Sequence, residues 1–319
     1  MNKKICLIIL YFGKLPNYFD LWLNSCRYNS SIDFLLFTDD CTEYNYPENV
    51  RVVYTSFEEI KKEIQKKFDF KISLNYRYKL CDYKPVYGYI FQEYIKDYDF
   101  WGHCDVDTIW GDIRKYLDDS ILEKNDKIFL HGHFTLYKNI KRINENFKEL
   151  IDSDTNKPLY LKVYSNDGSF YFDEFAGIIN LYDNKKYKIY KNIEIIADID
   201  LKYNNFYVIS NRQNGKYIFK WQVDKNTSKL YGIYSKNNKL VYQEFMYIHL
   251  QKRKMINNIV KNKDEFLIVP DKFIYAEDNV TLKEFKKMNK PIKMKRKEFY
   301  KLRINRGIQK IFKKGNKKI

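Results

Sequence analysis

The opening third of the chain alternates short apolar runs with helix-forming segments, and this alternation constrains the fold more than any other feature. Residues 4–11 form a nearly continuous apolar run, as expected for a strand buried on both faces of a parallel sheet. Two similar runs, Ile32–Thr38 and Val50–Tyr54, follow a helical segment. Ser56 and Glu59 then have the capping-box spacing that begins a further helix. This alternation predicts an α/β fold with a doubly wound, mostly parallel sheet.

The residues after the next apolar run indicate a binding site. Phe100–Cys104 has the pattern of a short buried strand, and Asp105 and Asp107 follow it directly, before a turn and a predicted helix near Gly111. Side chains two residues apart in an extended chain point the same way, and ligands of open α/β sheets collect at the carboxyl ends of the strands. Two carboxylates there suit Mg²⁺ or Mn²⁺, which would in turn bind a diphosphate.

The Asp-x-Asp pattern alone is weak evidence for a metal site. It occurs four times, at Asp97/Asp99, Asp105/Asp107, Asp152/Asp154 and Asp198/Asp200. Only the second copy lies directly between an apolar strand and a predicted helix. The alternative interpretation is that Asp107 or Asp112 merely caps that helix.

The remainder of the body mixes helical and strand patterns. We predict helices over residues 79–94 and 141–151, a polar loop over residues 152–168, and antiparallel strands over residues 216–223, 230–235 and 240–249. Because no repeat or low-complexity linker interrupts the chain, residues 1–285 are predicted to form one catalytic domain.

The net charge of +17 is concentrated near the end of the chain. Residues 286–319 contain 15 Lys or Arg and one acid, a net charge of +14, so the body is nearly balanced. Apolar residues at helical spacing between residues 299 and 314 predict a basic amphipathic helix in this tail, which would lie on an anionic membrane surface. The alternative is a helix that packs on the body with its basic face in water.

Cysteine usage and the first apolar run bear on the compartment. The five cysteines are scattered and lack a Cys-x-x-Cys spacing, which argues against a disulfide framework or zinc cluster and favours a reducing compartment. Residues 5–12 are too few to span a bilayer and have no small-residue cleavage site, so we interpret them as a strand. We expect a cytoplasmic protein that is peripheral on the inner face of the cell membrane.

Glycine-rich phosphate loops are absent from the sequence. Neither the P-loop pattern nor Gly-x-Gly-x-x-Gly occurs, and the chain has only 11 Gly. This counts against P-loop kinases and nicotinamide enzymes, and the glycine-rich opening loop of sugar nucleotidyltransferases is also missing. Phosphates would therefore be bound by a metal and by cationic side chains.

Several motifs are spaced along the chain. They are ICLIILYFG (5–13), FTDD (37–40), YKLCDYKP (78–85), WGHCDVDTIWGD (101–112), GHFTLY (132–137), FDE (172–174) and YIHLQKR (247–253). Together they resemble a known family, the bacterial GT-A glycosyltransferases encoded in capsule and O-antigen polysaccharide clusters. The resemblance extends to about residue 255 and leaves the tail uncovered. It implies a Rossmann-like, mostly parallel sheet with helices on both faces, plus a small antiparallel region.

The resemblance also implies a metal site at the end of the predicted strand Phe100–Cys104. Asp107 would bind Mn²⁺ or Mg²⁺ directly, and Asp105 would contact the metal, its water shell or the ribose. His249 would be the third ligand, although a lone histidine is more often a hydrogen-bonded core residue. Lys252 would face the diphosphate, unless it is a solvated lysine.

Further residues would hold the donor, a UDP-sugar. Tyr11 and Asp39 stand at the ends of the first two predicted strands, where the family holds uracil and ribose; the alternatives are a core aromatic and a turn aspartate. Lys79, Asp82 and Lys84 would contact the donor sugar or phosphate. Lys79 and Asp82 also have the i, i+3 spacing of a helix-surface ion pair.

The remaining carboxylate pair, Asp173 and Glu174, is the candidate for the catalytic base. An inverting transferase needs one carboxylate to take the proton of the acceptor hydroxyl, whereas a retaining one does not, and the sequence leaves both open. The alternative for this pair is a helix N-terminus, where acids are favoured. His131 and His133 are expected on the acceptor side.

These patterns lead us to expect a metal-dependent glycosyltransferase. It would transfer a hexose from a UDP-sugar to a surface polysaccharide or lipid-linked oligosaccharide, and it would not bind nucleic acid. One alternative is a sugar nucleotidyltransferase. The other is a non-enzymatic basic protein that binds membranes or nucleic acid through its tail.

Overall fold

The computed structural model describes residues 2–174, 177–183, 186–260, 263–276 and 280–290. Its strands are β1 (Ile5–Tyr11), β2 (Ile32–Thr38), β3 (Val50–Tyr54), β4 (Phe100–Cys104), β5 (Thr108–Trp110), β6 (Lys127–His131), β7 (Phe134–Lys138), β8 (Ile151–Asp152), β9 (Lys157–Pro158), β10 (Ile189–Tyr190), β11 (Ile196–Asp198), β12 (Tyr217–Asp224), β13 (Thr227–Lys236), β14 (Lys239–Phe245), β15 (Tyr247–His249), β16 (Ile256–Asn257), β17 (Glu265–Val269) and β18 (Lys272–Tyr275).

The helices are short apart from the first two. The α-helices are α1 (Phe19–Arg27), α2 (Phe57–Gln65), α3 (Leu80–Tyr83), α4 (Tyr87–Ile90), α5 (Gln92–Ile95), α6 (Ile113–Tyr116), α7 (Asp119–Lys124), α8 (Lys141–Asn144), α9 (Leu159–Ser165), α10 (Ile179–Asp183) and α11 (Leu282–Met288). Shorter 3₁₀ segments cover Arg77–Lys79, Lys84–Val86, Asn146–Glu149 and Ile209–Asn214.

A mostly parallel sheet forms the centre of the molecule. In the described ranges it has seven strands, in the order β10-β6-β7-β4-β1-β2-β3. Strand β1 pairs in parallel with both β2 and β4, and β7 is the strand that runs the opposite way. The α/β fold and the predicted strands β2, β3 and β4 are confirmed. The carboxyl ends of β1, β2 and β4 therefore lie side by side at one edge.

Helices cover both faces of this sheet, which is why β1 is apolar throughout. Leu7 faces one core and packs with Trp22 of α1, while Ile8 faces the other core, which contains Ile60 of α2 and Tyr87 of α4. The predicted capping box at the start of α2 is confirmed, because the Ser56 side chain accepts a hydrogen bond from the backbone N–H of residue 59.

Three further sheets occur in the described residues, the smallest of which is the β8–β9 pair. A small sheet in the order β11-β15-β5 places β15 antiparallel to β5, with His249 opposite Thr108. A larger sheet, ordered β14-β13-β12-β17-β18-β16, is mainly antiparallel. The antiparallel strands predicted after residue 216 are thus confirmed, but residues 240–249 form two strands in different sheets, β14 and β15.

Residues 79–94 are helical except at Phe91, as predicted, but the stretch is divided into short α and 3₁₀ segments, and Pro85 lies in the first turn of one of them. Two other sequence predictions about local structure are wrong. Residues 152–168 contain the β8–β9 pair and α9 instead of a loop, and the predicted helix 141–151 ends early as α8 and a 3₁₀ turn. The helix predicted near Gly111 is α6, and strand β5 comes before it. Asp112 caps α6, because its side chain accepts a hydrogen bond from the Lys115 N–H.

The predicted boundary at residue 285 falls inside α11, and the amphipathic helix predicted between residues 299 and 314 lies outside the described residues. None of the helices in the described ranges has both the length and the apolar content that a bilayer crossing requires.

Candidate metal and nucleotide site

Asp107 occupies the bend between β4 and β5, where its carboxylate is buried. Its Oδ2 accepts a hydrogen bond from the backbone N–H of Lys252, and its backbone carbonyl accepts one from Leu250. Its Oδ1 is buried and has no hydrogen-bond partner among the described residues. Burial alone would raise the pKa of Asp107, but His249 and the Lys252 N–H outweigh it and lower the pKa. The site thus holds an ionised carboxylate whose Oδ1 faces the ring of His249 without a hydrogen bond among the described residues.

His249 presents one ring nitrogen to Asp107 because Asp198 holds the other. Its Nδ1 lies 2.9 Å from Oδ1 of Asp198, and its Nε2 lies 3.5 Å from Oδ1 of Asp107. Parallel pairing of β11 with β15 sets Asp198 directly beside His249. Burial lowers the pKa of His249, but the two carboxylates outweigh it and raise the pKa to about 10. Carboxylates that orient a histidine in this way are common behind metal ligands.

Asp105 lies next to these groups and is held by a buried lysine. Its Oδ1 accepts from Nζ of Lys84 at 2.7 Å, and the same Nζ donates to the Gly132 carbonyl at 2.6 Å. Asp105, Asp107 and His249 each offer one ligand atom, and these atoms all lie within 4.8 Å of one another. Small side-chain adjustments would bring all three onto one cation.

A second set, His133, Asp198 and His249, has its ligand atoms equally close together. The rings of His133 and His249 stack with centroids 3.9 Å apart and planes 23° apart. The lone pair of an imidazole nitrogen lies in the plane of its ring. The lone pairs of two nearly parallel stacked rings therefore do not converge on one ion. The set built on Asp105, Asp107 and His249 is therefore the better metal site.

Five of the predicted metal and donor residues meet at a cavity of about 890 Å³ at the carboxyl edge of β1 and β4. This volume is in the range of small-molecule sites. Tyr11, Lys84, Asp105, Asp107 and Lys252 all line it. The described lining has six cationic side chains and two carboxylates, the cations being Lys14, Arg77, Lys84, Lys252, Arg253 and Lys254. A cavity with this excess of positive charge suits a diphosphate.

Lys252 belongs to a tight turn that directly follows β15. Gln251 and Lys252 have φ angles of 55° and 58°, and the Arg253 N–H donates to the Leu250 carbonyl. Left-handed backbone at two non-glycine residues costs about 1 kcal/mol or more each. That turn points the Lys252 N–H at Asp107, while its Nζ lies 4.5 Å from the ring centroid of Tyr78.

Tyr11 and Asp39 lie at the same edge but have different surroundings. Tyr11 is half-buried, lines the cavity and donates its hydroxyl to the Lys14 carbonyl. Asp39 lies at the rim, where it accepts from the backbone N–H of Gly13 and pairs with Arg77 at 3.4 Å. Because Asp39 is not part of the cavity lining, a ligand would meet it only at the mouth.

Lys79 and Asp82 are not brought to the cavity with the other predicted donor residues. They form a fully buried ion pair at 2.9 Å, and Lys79 also donates to the carbonyls of Val163 and Gly168. Asp82 accepts from the backbone N–H groups of Phe170 and residue 172. This placement favours the interpretation of Lys79 and Asp82 as an ion pair over contact with the donor. The pair is buried, however, whereas the sequence suggested a pair on a helix surface.

Asp173 and Glu174 are outside the cavity lining, but Asp173 lies near Lys84, which lines the cavity and holds Asp105. Oδ2 of Asp173 is 4.0 Å from Nζ of Lys84, and a β-carbon added to Gly132 would fall 2.7 Å from that Oδ2 and 2.8 Å from Oε1 of Glu174. Burial raises the pKa of Asp173 to about 7 despite Lys84, and burial also raises the pKa of Glu174. A carboxyl group that titrates near neutral pH can accept a proton.

His133 stacks on His249 and also on His131, so this pair borders the metal candidates as well as the Gly132 loop. The ring centroids of His131 and His133 are 4.9 Å apart. The Nε2 atom of His133 is buried without a hydrogen-bond partner among the described residues.

The raised pKa of Asp173 predicts a pH-dependent stability. Its folded-state pKa of about 7 lies above the ordinary 3.8, so the stability it contributes is present at low pH and is lost as pH rises through 7. Asp173→Asn removes this loss. We expect the melting temperature of the variant, relative to wild type, to increase between roughly pH 5 and pH 8. A difference in melting temperature between variant and wild type that is the same at every pH would contradict this prediction.

Asp198, whose Asp-x-Asp pair the sequence did not single out as a site, holds the Nδ1 side of His249. We predict that Asp198→Asn weakens Mn²⁺ binding about 10- to 100-fold, because the amide no longer orients His249. Asp200→Asn is the matched control, since Asp200 pairs with Arg212. Calorimetric titration with MnCl₂ measures both; equal affinities in the two variants would refute the role of Asp198.

The basic run at residues 252–254 was only partly recognised in the sequence, where Lys252 alone was predicted to belong to the site. Arg253 and Lys254 also line the cavity. Arg253 donates to the carbonyls of Tyr203 and Asn204, and so anchors the loop after β11. A run of cations directly after a candidate metal ligand was the available clue.

Comparison with known protein families finds a match over most of the chain. The profile of a family described as "Family of unknown function (DUF6625)" matches residues 7–277. No curated protein matches the chain.

Proposed function

The chain belongs to the DUF6625 family, whose function is unknown, and we propose that it is a metal-dependent glycosyltransferase of GT-A type. It would transfer a hexose from a UDP-sugar to a surface polysaccharide or lipid-linked oligosaccharide. The observation that carries this proposal is the convergence of Asp105, Asp107 and His249 beside a cationic cavity.

The residues at the proposed metal site fit a hard divalent cation. Asp107 keeps a buried carboxylate oxygen without a hydrogen-bond partner among the described residues, as a ligand atom would. Two carboxylates and one imidazole form a donor set that suits Mn²⁺, or Mg²⁺ with bound water. When bound there, the cation would neutralise charge on the diphosphate leaving group.

The chain's own residues would position the donor. Lys252 and Lys254 follow His249 and line the cavity, so they would contact the diphosphate oxygens. The guanidinium of Arg253, between them, is held by the carbonyls of the loop after β11. Tyr11 offers a ring at the end of β1 on which the base could stack. Lys84 holds Asp105 in place and keeps a positive charge between Asp105 and Asp173.

Proton removal from the acceptor would fall to Asp173 or Glu174. In the reaction the acceptor oxygen bonds to the anomeric carbon, the bond from that carbon to the diphosphate breaks, and the hydroxyl proton passes to a carboxylate. Asp173 is the better candidate because burial raises its pKa to about 7. The loop at Gly132 packs directly against both carboxyl groups.

A thermal-shift screen of nucleotides with and without Mn²⁺ tests the proposed function. We expect UDP and UDP-sugars to raise the melting temperature in the presence of Mn²⁺ and to have little effect without it. A sugar nucleotidyltransferase would instead form a nucleotide-sugar from UTP and a sugar 1-phosphate. If no nucleotide stabilises the protein with Mn²⁺ present, the proposal is wrong.

A further inference from the structure

One edge of the six-stranded sheet exposes apolar side chains next to the cavity. Strand β16 begins directly after Lys254 and Met255, which line the cavity. Ile256 in β16 is 57% exposed, and Val260, just beyond it, is 77% exposed. The Val260 N–H donates to the hydroxyl of Tyr275, so the chain runs along β18 as the outermost segment.

The same segment is rich in positive charge. Residues 251–263 contain five Lys or Arg and no acid, although Lys263 pairs with Asp20 and Arg253 donates to backbone carbonyls. Lys254 is exposed, and Lys272 of β18 stands in register with Ile256. We call residues 254–260, together with Lys272 and Tyr275, the basic apolar edge.

A groove adjoins the basic apolar edge. It has a volume of about 490 Å³, lies between β18 and α11, and has apolar walls that include Ile274, Val280 and Met288. Lys272, Lys287 and Lys290 line it as well, together with two acids. One of these acids, Glu284, is used in the capping box of α11.

We propose that the basic apolar edge docks on an anionic phospholipid surface. Lysines around exposed aliphatic side chains match a bilayer interface, where phosphate headgroups lie above acyl chains. Nucleic acid would use the cations but would leave Ile256 and Val260 in water, so lipid is the occupant that the exposed side chains favour. This contact lies on the folded body and is distinct from any contact made by the basic tail.

The position of the edge indicates how an acceptor would reach the cavity, an inference that rests on the proposed function. Since Lys254 and Met255 line the cavity and continue into β16, docking of the edge sets the cavity beside the headgroup layer. A lipid-linked acceptor would then reach the cavity without leaving the membrane. The acceptor class we infer is therefore a lipid-linked saccharide.

Site-specific fluorescence in the full chain separates the edge from the tail. A solvent-sensitive dye is attached at Val260→Cys in a Cys41→Ser/Cys81→Ser background and mixed with phosphatidylcholine vesicles, with or without phosphatidylglycerol. Tyr242→Cys is the matched control, because Tyr242 is 47% exposed on β14, the opposite edge of the same sheet. We expect a blue shift at position 260 with anionic vesicles only, and none at position 242.

A flotation assay gives the second readout. The Ile256→Ser/Val260→Ser variant keeps every charge and should float with anionic vesicles about tenfold less than Tyr242→Ser. Vesicle binding without a shift at position 260 would assign the contact to the tail and overturn the proposal. Absence of vesicle binding, or binding of a DNA oligonucleotide in its place, would also overturn it. Neither readout uses the transfer reaction, so a failed glycosyltransferase assignment would leave this result standing.

Discussion

Asp107→Asn is expected to lower sugar transfer or UDP-sugar hydrolysis about 10²- to 10³-fold while leaving the fold intact. The amide keeps the size of the side chain and can still accept from the Lys252 N–H, so the turn after β15 should persist. It removes the negative charge that faces His249 and the proposed cation. The UDP-dependent thermal shift with Mn²⁺ should disappear along with activity.

Asp97→Asn is the matched control for this prediction. Asp97 belongs to another Asp-x-Asp pair but is exposed on the surface before β4. Its variant should keep wild-type activity and the wild-type thermal shift. If Asp107→Asn turned over UDP-sugar at the rate of Asp97→Asn, Asp107 would have no role in the reaction.

Lys79→Met should be the most destabilising single change that we predict, costing about 3–5 kcal/mol of unfolding free energy. The substitution leaves the Asp82 carboxylate buried without its cation and removes the donor to the Val163 and Gly168 carbonyls. Urea unfolding measures the loss. The double variant Lys79→Met/Asp82→Asn should recover part of it, because the unpaired charge is gone.

An exposed pair on α2 provides the comparison. Glu63 and Lys66 have the same i, i+3 spacing as Asp82 and Lys79, but both side chains are more than half exposed. Lys66→Met should cost less than about 1 kcal/mol. A similar cost for Lys79→Met and Lys66→Met would show that the buried pair does not hold residues 163–172 in place.

Sequence patterns predicted β1, β2 and β4 well because these strands of the central sheet are buried on both faces. Such strands are continuous apolar runs, and β1, β2, β3 and β4 lie within a residue of their predicted bounds. Segments whose structure depends on distant partners were harder to predict. Leu159–Ser165 reads as part of a polar loop, yet its Val163 and Tyr164 are buried against residues far away in sequence.

The carboxylates of the candidate site were predictable from the sequence, but the residues that hold the site in place were not. Asp105 and Asp107 follow an apolar strand, which marks them in the sequence. The partner of His249, Asp198, is identified only by the pairing of β11 with β15, and no local pattern reveals that pairing. The burial of Lys79 and Asp82 was missed for the same reason, since residues 163–172 enclose them from elsewhere in the chain.

The most direct test of a divalent cation at Asp107 and His249 is a titration of the protein with Mn²⁺, followed through the electron paramagnetic resonance signal of the free ion. We predict one bound Mn²⁺ per chain, tighter binding when UDP is present, and loss of that binding in Asp107→Asn and His249→Ala. Mn²⁺ binding that is the same in wild type and both variants, or unaffected by UDP, would contradict the assignment.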